Sequence, residues 1–482
     1  MRIFVVQRIL GVIIALSGVL MLPPLLMSLY LDDGTALAFG EALAVCLVAG
    51  GALWLPVRGA RGDLRLRDGF LVTSLAWIVV SLFCALPFMW TGPQLSFTDA
   101  YFESASGLTT TGATAIVGLD VLPRSVLFFR QSLHFYGGLG IIVLAIAVLP
   151  MLRVGGAQLF RTESAGNVKD TKLTPRIAET ARALWLIFVA LNATCALAFW
   201  IAGMDVFDAI THAFSAVSTG GFANYDASIG QFDSVLIENI AMVFMFLGGV
   251  NFALHFNAWR RASLGGYFAD SELKAYFSVA LVATFVVAFE LFARGVYESF
   301  GTTLRHSSFH VVSVLSTTGF TTTGFGGWGG LAPILMILLG TVGGCAGSTA
   351  GGIKVVRVVV LLRQSGREML QLVHPRGRFH VKLGAMSVPG QALAAVTGFV
   401  TLYAISFLVL TLALSATGLD FLTAWSAIGA TLSNMGPGLG QVAVTFAGLD
   451  DLPVWICSFA MVLGRLEIFT LLVLFTPAFW KE

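Results

Sequence analysis

A short stretch ending in a glycine occurs four times along the chain, and this repetition constrains the fold more than any other feature. Each copy places hydroxyl or small polar side chains just before its glycine, at residues 109–113, 218–222, 316–320 and 433–437. The four glycines, Gly112, Gly221, Gly319 and Gly436, are 109, 98 and 117 residues apart. Because internal repeats of this length are common in transport proteins, the spacing predicts four related units.

Long apolar runs separate the four stretches. The chain has 482 residues, of which 57% are hydrophobic and 11% are charged, whereas soluble domains average about 25% charged residues. A membrane span needs roughly 20 apolar residues. Ten candidate spans meet that length, at about 3–30, 36–57, 70–90, 125–151, 183–202, 236–258, 275–294, 331–362, 391–415 and 453–478. The composition predicts a polytopic membrane protein, and a net charge of only +2 disfavours nucleic acid as a partner.

Four shorter, half-polar segments lie between these spans, and each ends in one of the glycine stretches. They cover about 97–108, 207–217, 304–315 and 421–432, and each is too short to cross a bilayer. Non-helical backbone at membrane depth is tolerated where it lines a cavity. We therefore predict an all-α fold of four tandem span, re-entrant pore helix and span units around a pseudo-fourfold pore. The units are 69–152, 183–260, 274–363 and 388–482, preceded by two extra N-terminal helices in 1–60.

The distribution of lysine and arginine predicts the orientation. With the amino terminus inside, all but five of the 28 basic residues fall on inner segments, as the positive-inside rule requires. The exceptions are Arg124, Arg130, Arg294, Arg305 and Arg465. Both termini are then cytoplasmic, and all four glycine stretches fall on the outer half. The outer segments carry several carboxylates, among them Glu103. The simplest interpretation of each is a solvated side chain in a loop.

The glycine stretches have the chemistry of an ion selectivity filter. A dehydrated cation needs oxygens in place of its water, and carbonyls from an extended backbone supply them. Glycine permits the positive φ and close approach that such a backbone requires. A single copy would more simply be a turn, but four copies in matching topology favour a cation filter lined by backbone carbonyls. The candidate filter residues are Thr110, Thr111, Gly112, Thr219, Gly220, Gly221, Thr317, Thr318, Gly319, Asn434, Met435 and Gly436.

A glycine-rich interruption breaks the eighth apolar run. Glycine costs about 1 kcal/mol relative to alanine in a helix, so a continuous helix is disfavoured here. A broken helix at this depth lines a cavity, although close packing of small residues between helices is the alternative. The interrupted segment runs from Gly343 to Lys354.

Arg465 is a charge within the last apolar run. Such a charge is costly and faces the bundle interior or water. An ion pair with Glu467 is disfavoured, because residues two apart diverge on a helix. Arg465 is therefore a candidate functional residue, with a partnered structural arginine as the alternative. His134, His212, His255 and His310 have no metal-site spacing and are interpreted as packing or hydrogen-bonding residues of the helices.

Together, the four stretches and the GGxxGSTxGGIK pattern of the interruption resemble the Trk/Ktr/HKT superfamily of potassium transporters. The resemblance covers nearly the whole chain, and the two extra N-terminal helices resemble its TrkH members rather than KtrB. It implies that one glycine per filter, carried over to Gly112, Gly221, Gly319 and Gly436, is the signature. It also implies that Gly112, where some Na⁺-preferring plant members have serine, favours K⁺. The fourth stretch departs most from a threonine-rich filter, through Asn434, Met435 and Pro437.

The resemblance also implies partners and a location. Such subunits form homodimers in the bacterial inner membrane and bind a cytoplasmic, TrkA-like ring of nucleotide-binding subunits, which the basic loops 153–182 and 363–382 would dock. The nucleotide belongs to that partner, and no covalently bound cofactor is expected. The resemblance implies that the glycine-rich loop obstructs the pore, moves when the gate opens, and has Arg465 nearby beneath the filter. The candidate gate residues are Gly343, Gly344, Gly347, Ser348, Thr349, Gly351, Gly352, Lys354 and Arg465. A passive K⁺ channel and a K⁺ symporter coupled to H⁺ or Na⁺ both remain open, whereas a membrane enzyme lacks a nucleophile–base pair.

Overall fold

The fold is almost entirely helical. The computed structural model describes residues 2–60, 62, 65–143, 174–384 and 386–481. In chain order the helices are α1 (Ile3–Val19), α2 (Leu22–Leu31), α3 (Ala36–Trp54), α4 (Leu66–Cys84), α5 (Leu86–Trp90), α6 (Phe97–Leu108), α7 (Arg124–Val143), α8 (Thr174–Ile201), α9 (Val206–Val217), α10 (Val235–Gly248), α11 (Phe252–Arg261), α12 (Gly265–Ala269), α13 (Ser271–Ala293), α14 (Phe300–Leu315), α15 (Ala332–Val342), α16 (Val355–Val373), α17 (Gly390–Ser415), α18 (Phe421–Leu432), α19 (Asp451–Arg465), α20 (Phe469–Leu472) and α21 (Pro477–Trp480). Two short antiparallel strands, β1 (Lys382–Leu383) and β2 (Met386–Ser387), pair with each other.

Six helical segments of the described chain are long and apolar enough to cross a membrane. They are Ile3–Leu31, Ala36–Val57, Leu66–Trp90, Ala181–Ile201, Ser271–Ala293 and Gly390–Ser415. Large apolar side chains on their outer faces are exposed, such as Phe289 (73%) and Val282 (62%) on α13. An apolar surface of this kind is the one that a bilayer covers. The predicted all-helical membrane class is therefore confirmed.

Three of the other four predicted spans differ from continuous helices in the described part of the chain. α10 and α11 meet at 95°, and the segments Asp451–Arg465 and Phe469–Phe475 meet at 107°, so the predicted spans 236–258 and 453–478 are each bent pairs. The predicted span 331–362 is interrupted between the end of α15 and the start of α16. The predicted span 125–151 begins as α7, and its remainder lies outside the described residues, as does most of the basic loop 153–182.

Tertiary contacts explain the bend between α10 and α11. The carbonyl of Gly249 accepts from the backbone N–H of Cys345 at 2.8 Å instead of continuing the helix. The Asn251 side chain then caps α11 by accepting from the N–H of Ala253 at 2.9 Å. A side-chain cap satisfies one of the donors that a new helix leaves open. The break therefore depends on a segment nearly a hundred residues away, which apolar patterning does not reveal.

The four short helices α6, α9, α14 and α18 stand where the half-polar segments are. In three of them a residue at the N-terminus caps the helix: Ser96 accepts from Asp99 N at 3.1 Å, Ser299 from Thr302 N at 3.1 Å, and Asp420 from Thr423 N at 3.1 Å. Because Ser299 provides this cap, α14 begins at Phe300, four residues before the predicted segment 304–315. The donors of Thr423 also lower the pKa of the exposed Asp420 carboxyl.

Candidate functional site

The chain makes the same turn after each of the four short helices. In every copy the residue before the glycine donates its N–H to the carbonyl six residues before the glycine. These bonds run from Thr111 to Ser106 (2.9 Å), from Gly220 to Ser215 (2.8 Å), from Thr318 to Ser313 (2.8 Å) and from Met435 to Ala430 (2.8 Å). The residue two before the glycine is left-handed each time, with φ of 47° at Thr110, 52° at Thr219, 56° at Thr317 and 54° at Asn434. The repeat is therefore one of backbone conformation as well as of sequence.

The four glycines form a closed ring. Each turns the face that would carry a Cβ toward the carbonyl oxygen of the residue before the next glycine, and the fourth returns to the first. A Cβ would lie 2.2 Å from Gly220 O at Gly112, 1.8 Å from Thr318 O at Gly221, 2.1 Å from Met435 O at Gly319 and 2.8 Å from Thr111 O at Gly436. Real Cβ atoms do not approach backbone this closely. With φ between 80° and 98° at all four, these positions require glycine.

The carbonyl that follows the glycine is held away from the ring in two of the copies. Gln131 Nε2 donates to Phe222 O at 3.0 Å, and Ser313 Oγ donates to Phe320 O at 2.7 Å. These bonds hold the two carbonyls against α7 and α14.

The fourth copy differs in its side chains. Asn434 Nδ2 donates to Thr111 Oγ1 and to Met461 O, both at 2.9 Å. Where the other copies have a threonine, this one therefore uses an amide to tie the first stretch to α19. Asn434 keeps the left-handed backbone of its counterparts. The sequence of the fourth stretch therefore changes its side-chain contacts and not its backbone conformation.

The glycine-rich loop, defined here as residues 343–354, lies directly against the ring. Thr219 Oγ1 donates to Thr349 Oγ1 at 3.1 Å, and the backbone N–H of Gly351 donates to Thr317 Oγ1 at 2.6 Å. A Cβ on Gly351 would lie 2.0 Å from Ser433 O, so only glycine fits at this approach. The loop thus contacts the second, third and fourth stretches at once.

Arg465 joins the loop to the first stretch. It is 5% exposed, and its Nη2 donates to Thr349 O at 2.8 Å and to Thr110 Oγ1. Its guanidinium therefore bridges the loop and the ring with charge-assisted bonds, which are among the stronger hydrogen bonds in proteins. Arg465 and the loop together contact all four stretches.

Buried charges hold both ends of the loop. Glu272 on α13 accepts from Ala346 N at 2.8 Å and from Val356 N at 3.2 Å, with the same Oε1. Lys354 Nζ donates to Ala350 O inside the loop. Further along, Phe252 N donates to Gly347 O at 3.0 Å. The loop is therefore held by hydrogen bonds from two helices, α11 and α13, and by the bond that Lys354 makes within it.

Glu467 pairs with Arg357 of α16 rather than with Arg465. The Arg357 Nη2 to Glu467 Oε2 distance is 2.5 Å, and the Arg357 guanidinium carbon lies 4.0 Å from the centroid of the Phe399 ring. A small cavity of about 30 Å³ lies on this side of the loop. Its lining comprises Ile141, Gly347, Ser348, Ala350, Gly351, Gly352, Lys354, Gly464, Arg465 and Glu467. Six of the nine candidate gate residues, including the basic Lys354 and Arg465, therefore line one cavity together with Glu467.

In three of the four copies the residue nine before the glycine contacts the chain that leaves the ring. Glu103 accepts from Ala115 N at 2.9 Å, His212 Nε2 from Asn224 N at 3.4 Å, and His310 Nε2 lies 2.9 Å from Thr323 O. The histidines therefore have the hydrogen-bonding role predicted for them. Glu103, in contrast, is fully buried and is not a solvated loop carboxylate.

Three glycines that the sequence reasoning did not single out allow the second span of a unit to approach its short helix. A Cβ on Gly137, Gly248 or Gly464 would lie 2.1, 2.6 or 1.9 Å from the carbonyl oxygen of Leu108, Val217 or Leu432 respectively. Those carbonyls belong to the last residues of α6, α9 and α18. The sequence carries a signal for this close packing, because each of these glycines occurs 25 to 28 residues after the filter glycine of its unit.

A family model places the chain among known proteins. The model, described as "TrkH: Cation transport protein", matches residues 36–482. The chain belongs to this TrkH family. It is 48% identical to the "Trk system potassium uptake protein TrkH" of Halomonas elongata over all of both chains. It is 47% identical to the protein of the same name from Escherichia coli K12, over 99% of each. The crystal structure of the potassium transporter TrkH from Vibrio parahaemolyticus matches with a TM-score of 0.93 at 45% identity, covering 100% of both chains.

Family membership confirms the resemblance seen in the sequence, and with the membrane-spanning helices it identifies an integral membrane protein. The TrkH family is a family of transport proteins and not a class of enzymes. Within the described part of the chain, no group of three histidine, cysteine or acidic side chains could hold a metal ion. The five cysteines are buried free thiols.

Proposed function

We propose that this chain takes up potassium ions across a bacterial inner membrane along the axis enclosed by Gly112, Gly221, Gly319 and Gly436. The observation that carries the proposal is the closed ring, in which each stretch contacts the next through the same pair of positions. Carbonyl oxygens directed to that axis would replace the hydration shell of a cation. The C-terminal ends of four short helices converge on the same place, and their dipoles favour positive charge there. The names of the relatives support K⁺ as the cation.

The proposed architecture is four span, pore helix and span units around this axis, after two extra helices, with both termini cytoplasmic. In this architecture the units are 69–152, 183–260, 274–363 and 388–482. The bent second spans of the second and fourth units, and the interrupted one of the third, are supporting observations, because irregular backbone at membrane depth belongs around a cavity.

The glycine-rich loop and Arg465 act as the gate of this pathway. Support comes from their contacts with all four stretches, through Thr349, Gly351 and Arg465. In this arrangement a loop and a fixed positive charge stand where a cation leaving the filter would pass. Opening requires the loop to leave the ring, which exposes the hydroxyls of Thr110, Thr219 and Thr317 to the pathway.

The proposed assembly is a homodimer with a cytoplasmic ring of nucleotide-binding regulatory subunits. The segment that supports this docking runs from the second half of α16 to β1 and carries the basic residues Arg363, Arg367, Arg376, Arg378 and Lys382. Nucleotide acts on the partner, and the chain itself carries K⁺ as cargo.

The test is concentration-driven uptake of ⁸⁶Rb⁺ into vesicles that contain the purified chain, without a proton or sodium gradient. We use the wild type and Arg465→Ala, so that a closed gate does not mask conduction. Uptake in the absence of any gradient supports the channel. Uptake that appears only with a proton or sodium gradient supports the alternative, a coupled K⁺ symporter, and no Rb⁺ uptake under either condition contradicts the proposed function.

A further inference from the structure

We infer that the buried ion pair between Glu103 and Arg130 is a positioning clamp for the filter, which sets the distance between the first and second stretches and thereby the preference for K⁺ over Na⁺. This inference rests on the proposed function. Neither side chain lies on the enclosed axis, so the pair acts through the backbone that it holds.

Both side chains of the ion pair are buried, and the distance between them is short. Glu103 on α6 is 0% exposed and Arg130 on α7 is 1% exposed, and Arg130 Nε lies 2.5 Å from Glu103 Oε1. Burying two charges is costly unless both are paired and hydrogen-bonded. The remaining polar atoms of the pair therefore have to find partners nearby, and those partners are backbone groups beside the ring.

The Glu103 carboxylate binds the chain that leaves the first stretch. It accepts from Thr114 Oγ1 at 3.0 Å and from Ala115 N at 2.9 Å. These residues are two and three positions after Gly112. One carboxylate thus fixes the first outgoing segment against the middle of its own short helix.

The Arg130 guanidinium binds the chain that leaves the second stretch. Its Nη1 donates to Ala223 O at 2.8 Å, and its central carbon lies 3.5 Å from the centroid of the Phe222 ring. Phe222 and Ala223 directly follow Gly221. The ion pair is consequently the link between two segments from different units, each held within three residues of its filter glycine.

The other units lack this device at the same position. The equivalents of Glu103 are His212, His310 and Ala427. The first two bond within their own units, and the alanine has no polar group. The clamp is therefore asymmetric, and it acts at the boundary between the first and second units, where a cation site needs its carbonyls within a fraction of an ångström.

A second ion pair, in which Glu238 is buried and Arg305 is 28% exposed, provides the control. Arg305 on α14 binds Glu238 on α10 in a bidentate manner, at 2.6 and 2.7 Å, across the boundary between the second and third units. Neither residue bonds to the segments that leave the ring. Glu238→Gln therefore breaks a comparable pair without releasing the filter.

The experiment compares Glu103→Gln, Glu238→Gln and the double variant Glu103→Gln/Arg130→Gln. Each is purified, tested for thermal stability and reconstituted for K⁺/Na⁺ permeability ratios. We expect Glu103→Gln to lower the ratio about tenfold, because small displacements of ligating groups have effects of that order. Glu238→Gln keeps the wild-type ratio. The double variant, which leaves no unpaired buried charge, recovers thermal stability but not the ratio.

The outcomes separate positioning from mere stability. A double variant that recovers the ratio together with stability overturns the clamp, and so does an equal loss of selectivity in Glu238→Gln. A wild-type chain with no preference for K⁺ over Na⁺ overturns the proposed function instead. The permeability ratio of the wild type is therefore measured before those of the variants.

Discussion

Arg465 Nη2 lies 2.8 Å from the carbonyl oxygen of Thr349, and this bond fastens the last long helix to the glycine-rich loop. The same nitrogen donates to Thr110 Oγ1. The side chain that a sequence reading marks as an isolated intramembrane charge is thus a bridge between the proposed gate and the first filter stretch. Its partners are neutral oxygens, so the bridge holds the loop without neutralising the charge.

Arg465→Ala is expected to raise ion flux in the absence of the regulatory partner. Hydrogen bonds to charged groups contribute about 1.5–3 kcal/mol each, so their loss shifts the gate toward opening by at least about tenfold. Rb⁺ flux into vesicles measures this change. Arg294→Ala is the control, because that arginine is 43% exposed and pairs with Glu290 near the C-terminal end of α13, away from the loop anchor Glu272. Unaltered flux in Arg465→Ala removes this residue from the gate.

Glu272→Ala is expected to make the closed pore leak. The carboxylate accepts from Ala346 N and Val356 N, one on the loop and one at the start of α16. Without it the loop loses a charged acceptor worth about 1.5–3 kcal/mol. Basal Rb⁺ leak is the measurement, and Glu290→Ala, at the other end of α13, is the control. A tight pore in correctly folded Glu272→Ala would show that the loop stays closed without this anchor.

Gly464→Ala is expected to destabilise the fold. A Cβ at this position would lie 1.9 Å from Leu432 O, the last carbonyl of α18. Overpacking of this kind costs about 1–3 kcal/mol, and the melting temperature in detergent measures it. Gly398→Ala is the control, since its nearest contact would be 3.7 Å, to Phe469. Equal melting temperatures for the two variants contradict the close packing of α18 and α19.

Local patterning predicts the short helices well. The segments 97–108 and 421–432 coincide with α6 and α18, because their composition changes abruptly at the glycine stretch that ends each helix. The loop interruption was equally visible, since its glycines cannot sustain a helix. These are features that a few neighbouring residues determine.

The breaks and the buried pairs could not be predicted in this way. The run 453–478 is apolar around Glu467 and Ile468, yet both residues have positive φ and the helix turns by 107°. Glu103 and Arg130 resembled outer-surface charges, and they are 27 residues apart in sequence. Their burial depends on how two units meet, which only the three-dimensional structure reveals.

The most direct test of the central claim is the K⁺/Na⁺ permeability ratio of Gly112→Ser and Gly319→Ser in reconstituted vesicles. At these positions φ is 82° and 80°, and a Cβ would lie 2.2 and 2.1 Å from a carbonyl of the next stretch. Gly324→Ala, where a Cβ meets nothing within 4 Å, is the control. We predict a sharply lower K⁺/Na⁺ permeability ratio in both serine variants and a wild-type ratio in the control. Wild-type ratios in all three would contradict the assignment of the glycine ring as the filter.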